Sequence, residues 1–86
     1  MLKVKFLGPL KSLIGSESVE LTKKEVRLED LMEAINEVSP QSEKEGLDPS
    51  GIIFIVNGSA LEMQEDKSRL LRDGDEIILL PVAHGG

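Results

Sequence analysis

The only long stretch of this chain with helical periodicity runs from Leu28 to Val38. Apolar residues fall there at Leu28, Leu31, Met32, Ile35 and Val38, a narrow stripe at i, i+3, i+4, i+7 and i+10. Glu29 and Asp30 stand in the first turn, where the helix dipole favours negative charge, and Ser39-Pro40 stops the helix. Arg27 is a poor N-cap. One amphipathic helix cannot bury its stripe alone, so it must lie on a layer of another kind.

The remaining apolar residues are spaced for that layer. Leu2, Val4 and Phe6 alternate with Lys3 and Lys5, which predicts a half-buried strand ended by Gly8-Pro9. Leu10, Leu13 and Ile14 predict a single helical turn. Alternation resumes through Val19 and Leu21 in a strand over 18–22, returning antiparallel to the first. Ile52 to Val56 is a continuous β-branched and aromatic run, as a central strand requires. Asn57-Gly58 is a hairpin signal leading to a short strand over 60–63. Leu70 and Leu71 are expected to cover one end of the core. Asp73-Gly74-Asp75 turns the chain into a last strand over 76–82. The polar 41–51 stretch reads as a surface loop holding one loose turn anchored by Leu47. The expected class is α+β: a mixed four- to five-stranded sheet packed on one main helix.

With 86 residues the chain suffices for one domain, expected over 1–82, followed by a flexible tail over 83–86. The net charge of −6 argues against nucleic acid and anionic membrane surfaces, which call for a basic face. The N-terminus lacks the pattern of a signal peptide, and no apolar run approaches the roughly 20 residues that span a bilayer. The chain is therefore expected in the cytoplasm.

Side-chain chemistry is hard to place. Cysteine is absent, which removes disulfides, thiolate nucleophiles and cysteine zinc sites. His84 is the sole histidine and stands beside two glycines, so neither a histidine metal cluster nor a rigid Ser-His-acid triad can form. Phosphate-binding glycine loops are missing. No permanently bound cofactor or metal is expected, and a self-sufficient enzyme is not. Attention shifts to the main-chain carboxylate of Gly86. An enzyme that adenylates such a carboxylate threads the tail through a narrow channel to ATP, and only glycine leaves that passage clear and takes the required backbone angles. Against this stands the plain alternative of a frayed chain end. Pro81, with no N–H to pair, is expected to end the last strand and stiffen the exit.

Leu28-x-x-Leu31-Met32, Val56-Asn57-Gly58, Asp73-Gly74-Asp75-Glu76-Ile77 and Leu80-Pro81-Val82-Ala83-His84-Gly85-Gly86 together resemble the landmarks of the ubiquitin-like β-grasp sulfur carriers. That family includes the small subunit of molybdopterin synthase (MoaD), the thiamine-pathway carrier ThiS, the ubiquitin-related modifier and small archaeal modifiers. The resemblance implies that an adenylyltransferase related to ubiquitin-activating enzymes consumes ATP to charge Gly86. A sulfurtransferase or persulfide donor then yields a thiocarboxylate. Gly86 becomes the adenylate, thiocarboxylate or isopeptide position, with Gly85 and His84 giving the tail its access. Two fates are implied: sulfur transfer, foremost in molybdopterin (molybdenum cofactor) biosynthesis, or conjugation to lysines of target proteins and sulfur donation for tRNA thiolation. The Asp-Gly-Asp-Glu-Ile segment is most similar to the molybdopterin synthase subunit, although Leu79-Leu80 stand where that subunit usually has aromatics. His84 before the glycines is more similar to the ubiquitin-related modifiers. His84 itself has three readings: a solvated tail residue, a recognition contact for the activating enzyme, or a participant in proton transfer.

Alternation also predicts a partner face. If Leu2, Val4 and Phe6 point to the helix, the other side of the sheet carries Leu7, Ile53, Ile55, Ile78 and Leu80, and an uncovered face of a solitary domain should instead be polar. With Pro81 these residues form a candidate contact patch for the activating enzyme or the molybdopterin synthase large subunit. Alternatively, segments 9–15 and 41–51 cover Leu7 and Ile53. A register slip of one residue would invert both faces.

Overall fold

A computed structural model describes residues 1–39 and 51–82. The elements are β1 (Leu2–Phe6), α1 (Pro9–Ile14), β2 (Ser18–Leu21), β3 (Glu25–Arg27), α2 (Leu28–Val38), β4 (Ile52–Val56), β5 (Ser59–Leu61), α3 (Met63–Asp66), β6 (Leu70–Arg72) and β7 (Ile77–Pro81). The expected loop around Leu47 and the tail residues Ala83, His84, Gly85 and Gly86 lie outside the described residues.

Five strands form one sheet in the order β2-β1-β7-β4-β5. β1 and β7, far apart in sequence, pair in parallel, and every other pair in the sheet is antiparallel. The expected mixed sheet on one main helix is the one observed, and it has the ubiquitin-like β-grasp arrangement. β2 does return antiparallel to β1, with Val4 opposite Val19 and Leu2 opposite Leu21.

The core lies between α2 and one face of this sheet. Leu2, Val4, Phe6, Leu21, Ile52, Phe54, Val56, Leu61, Ile77 and Leu79 face Leu28, Leu31, Met32, Ala34 and Ile35 of α2, all buried. Each such aliphatic side chain removed from water contributes about 1.5–3 kcal/mol before chain entropy is subtracted.

The β3–β6 ribbon was not visible in the local pattern. Each strand has three residues, and Val26 stands opposite Leu71, both buried. The ribbon also answers the poor N-cap at Arg27, which makes no side-chain capping bond. The free N–H groups of Leu28 and Glu29 donate instead to the carbonyls of Arg69 (2.9 Å) and Lys67 (3.0 Å). Main chain from the approach to β6 therefore caps α2. The stretch after β5 differs from expectation too: the strand ends at Leu61, and α3 begins at Met63. Val38, at the end of α2, is 46% exposed, and Leu13 on the short α1 is 37% exposed; neither joins the core.

Turn chemistry follows the residues. Asn57 (φ 51°) and Gly58 (φ 85°) both take left-handed backbone, as a two-residue hairpin of the type I′ kind requires.

Candidate functional site

β7 is the middle strand of the sheet, bonded to β1 on one side and β4 on the other. Its far end is held as well: the Leu7 N–H donates to Leu79 O at 2.9 Å, and the Val82 N–H donates to Gly51 O at 2.9 Å. The strand ends at Pro81, as expected from its missing donor. The route to residues 83–86 thus starts from a main chain locked in place through Val82. His84, Gly85 and Gly86 lie outside the described residues.

The opening corner of α1 lies beside this root. Gly8, at φ 60° and ψ −138°, turns β1 into α1 in a backbone region that side chains avoid. A Cβ built on Gly8 would stand 4.0 Å from the Pro81 ring. The corner therefore packs against the exit without crowding it.

The other end of β7 is fastened by side chains. The Asn57 amide donates to Asp75 Oδ1 at 3.0 Å and accepts from the Glu76 N–H at 2.9 Å. Asp75 Oδ2 accepts from the Arg72 N–H at 2.7 Å. These bonds tie the β4–β5 turn to the turn before β7. They hold the Asp75 carboxyl below its ordinary value, the Arg72 N–H contributing most and the Asn57 amide next.

On the sheet face away from α2, the register sets Ile78 between Lys5 and Ile55, and Leu80 opposite Ile53. Ile53, Ile55, Ile78 and Leu80 are half-buried, and Leu7 is 48% exposed, so α1 does not cover it. Five of the six expected patch residues therefore share one face. The alternative that the 41–51 segment covers Ile53 falls mostly on residues outside those described.

Pro81 is the correction. It stands opposite Ile52 in the ladder, in step with Ile77 and Leu79. Because side chains alternate with period two, that position belongs to the helix side, at the sheet's end. Pro81 shapes the exit but does not join Ile78 and Leu80. The place it was assigned falls instead to Val82, which is half-buried and in step with Leu80. Extending the alternation two residues past Leu80 would have found it. Ala60, exposed and opposite Ile55, adjoins the patch on β5 and was also missed, because a three-residue strand carries too little pattern.

Charge is divided between the two sides. The solvent side of α2 carries Glu29, Asp30, Glu33 and Glu37, all exposed, with no basic residue on that helix. The strands of the open face carry Lys3 and Lys5 on β1 beside the apolar rows, with Glu20 opposite Lys3. Among the described residues no helix is long and apolar enough to cross a membrane.

Comparison with known proteins adds the following. The model of the ThiS family matches residues 4–86. The ubiquitin-related modifier 1 of Saccharomyces cerevisiae strain YJM789 is 33% identical over 96 aligned positions, covering 98% of this chain and 96% of the yeast protein. A Pyrococcus furiosus protein described as subunit 1 of a molybdopterin converting factor superposes with a TM-score of 0.66 at 26% identity, covering 94% of this chain and 95% of its own. SAMP1 of Haloferax volcanii superposes with a TM-score of 0.72 at 23% identity, covering 98% and 97%, which speaks to the fold.

Proposed function

The chain belongs to the ThiS family, and from that premise we propose that it is a sulfur carrier charged at the carboxylate of Gly86. A ubiquitin-activating-like adenylyltransferase supplies ATP; the carboxylate oxygen attacks the α-phosphate and pyrophosphate leaves. A persulfide donor then attacks the acyl carbon and AMP departs. A second thiolate attacks the donor's sulfur in the resulting acyl disulfide, the S–S bond breaks, a disulfide forms between donor and second thiol, and the thiocarboxylate leaves. The protein is consumed and regenerated as a co-substrate, in the cytoplasm, and the enzymes it meets perform the catalysis.

The observation that carries this reading is the anchoring of β7. A middle strand bonded to β1 as far as Leu79 and to β4 through Pro81, with the Val82 N–H held by Gly51 O, gives the four residues beyond it a fixed origin. Fully extended, they reach no more than about 14 Å from Val82. A partner must therefore dock close to the exit to reach Gly86. The apolar open face, with Leu7, Ile53, Ile55, Ile78 and Leu80, is the surface we assign to that docking. Sulfur donation in molybdopterin biosynthesis, with docking on the large subunit of the synthase, is supported by the likeness to the Pyrococcus protein. Conjugation to lysines is the second reading, supported by the yeast relative. Both begin with the same adenylate, and a lysine amine in place of the persulfide makes the isopeptide bond.

The test incubates the chain with ATP, an adenylyltransferase of the host and a persulfide donor. Intact mass should change by the exchange of one oxygen for sulfur, and removal of Gly86 should prevent it. No change with any host adenylyltransferase would reduce the chain to a binding module. Lysine-linked diglycine remnants in host proteins would establish the second reading, and conversion of a pterin precursor by the large subunit would establish the first.

A further inference from the structure

We propose that Asn57 is a self-modification site, an Asn-Gly bond poised for deamidation that the Asp75 carboxylate holds closed. Glycine after asparagine leaves the following main-chain nitrogen unhindered. In the reaction the Gly58 nitrogen loses its proton and bonds to Cγ of Asn57. The Cγ–Nδ2 bond breaks and ammonia leaves, producing a succinimide. Water opens that ring at either carbonyl, giving aspartate or isoaspartate at position 57. No oxidant, metal or enzyme is needed.

The turn exposes this dipeptide to water, since both residues are exposed. What restrains it is the side-chain amide, which is bonded at both ends. Nδ2 donates to Asp75 Oδ1 (3.0 Å) and Oδ1 accepts from the Glu76 N–H (2.9 Å). To bring Cγ within bonding distance of the Gly58 nitrogen, the amide must swing away from both partners. Asp75 is itself tied to its own turn by the Arg72 N–H (2.7 Å), which opposes its following. A charge-assisted bond of this kind lowers the population of the released amide by roughly tenfold or more.

Reaction also loosens the turn. The product carboxylate at position 57 stands where Nδ2 met Asp75 Oδ1, replacing a hydrogen bond with like-charge repulsion. The isoaspartate form lengthens the main chain inside a two-residue turn. Either product unfastens the β4–β5 turn from the start of β7.

The experiment incubates the folded full-length chain at mildly alkaline pH and follows residue 57 by peptide mapping with isoaspartate detection. A synthetic peptide spanning the turn is followed in parallel, together with the Asp75→Ala variant. The intact chain should react at least about tenfold more slowly than the peptide, and Asp75→Ala, shown folded by circular dichroism, should lose much of that protection. Equal rates in the folded chain and the peptide would overturn the proposal. So would a folded Asp75→Ala variant as slow as the parent. Should that variant not fold, Asp75→Asn, which retains an acceptor oxygen, replaces it and should react at an intermediate rate; a rate equal to the parent's counts against the proposal.

Discussion

The two faces of the five-stranded sheet are built from alternate residues of the same strands, yet they do different work. On the helix side, Val4, Phe6, Phe54, Val56, Ile77 and Leu79 are buried within the domain. On the other side, Ile53, Ile55, Ile78 and Leu80 are comparably apolar and only half-buried. Folding needs only one apolar face, because burial against α2 already completes the core. The second one, half-buried, contributes less to stability. On the docking proposed above, that contrast separates residues that hold the chain together from residues that present its end to a partner.

The contrast can be broken most forcefully from the inside. Phe54→Ala on the helix side should cost about 3–5 kcal/mol by urea denaturation, a large share of the roughly 5–15 kcal/mol typical of a domain. On the other side, Leu80→Asp and Ile78→Asp should cost about 1 kcal/mol or less in stability. Each should nevertheless lower kcat/KM for adenylation of the tail by roughly thirtyfold, the effect of removing an interface hot spot. A folded Leu80→Asp chain that is adenylated at the parent rate would end the docking proposal.

Smaller effects sharpen the picture at the edges. Asp75→Asn should lose about 1 kcal/mol or less at neutral pH, since the turn is open to water. Its pH dependence has a definite sign. The folded carboxyl titrates below its ordinary value of 3.8. The stabilisation is therefore fully present above that value and lost as pH falls through the depressed one. The gap between parent and Asp75→Asn should accordingly close below about pH 4, as read by denaturation at stepped pH. Val38→Ala, at an exposed helix end, should stay within about 0.5 kcal/mol of the parent. A larger loss would mean that Val38 is covered in solution.

Legibility followed the length of the periodic signal. The eleven residues of α2 and the alternation of β1 declare both element and face, whereas β4 and β7, apolar on both sides, declare only the element. Asn57-Gly58 declared its hairpin because few residues accept left-handed backbone twice in succession. Three-residue strands offer no such repeat. β3 shows one apolar residue, Val26, between Glu25 and Arg27, and nothing nearby indicates that it pairs with Leu71. Pro81 was misplaced for a different reason. The period-two pleat sets it in step with Ile77 and Leu79, on the side away from Ile78 and Leu80.

By itself, then, the sequence determined the layer class, the inward residues of α2 and β1, and the lack of cysteine and of a second histidine that turns the functional reading toward Gly86. These depend on local periodicity and on which side chains are absent, and both can be read along the chain. Only the tertiary structure decided that β1 and β7 lie side by side and that main-chain carbonyls of Lys67 and Arg69 cap α2. Those outcomes depend on main-chain groups finding partners across long sequence separations, and main-chain groups are the same whatever side chain they carry.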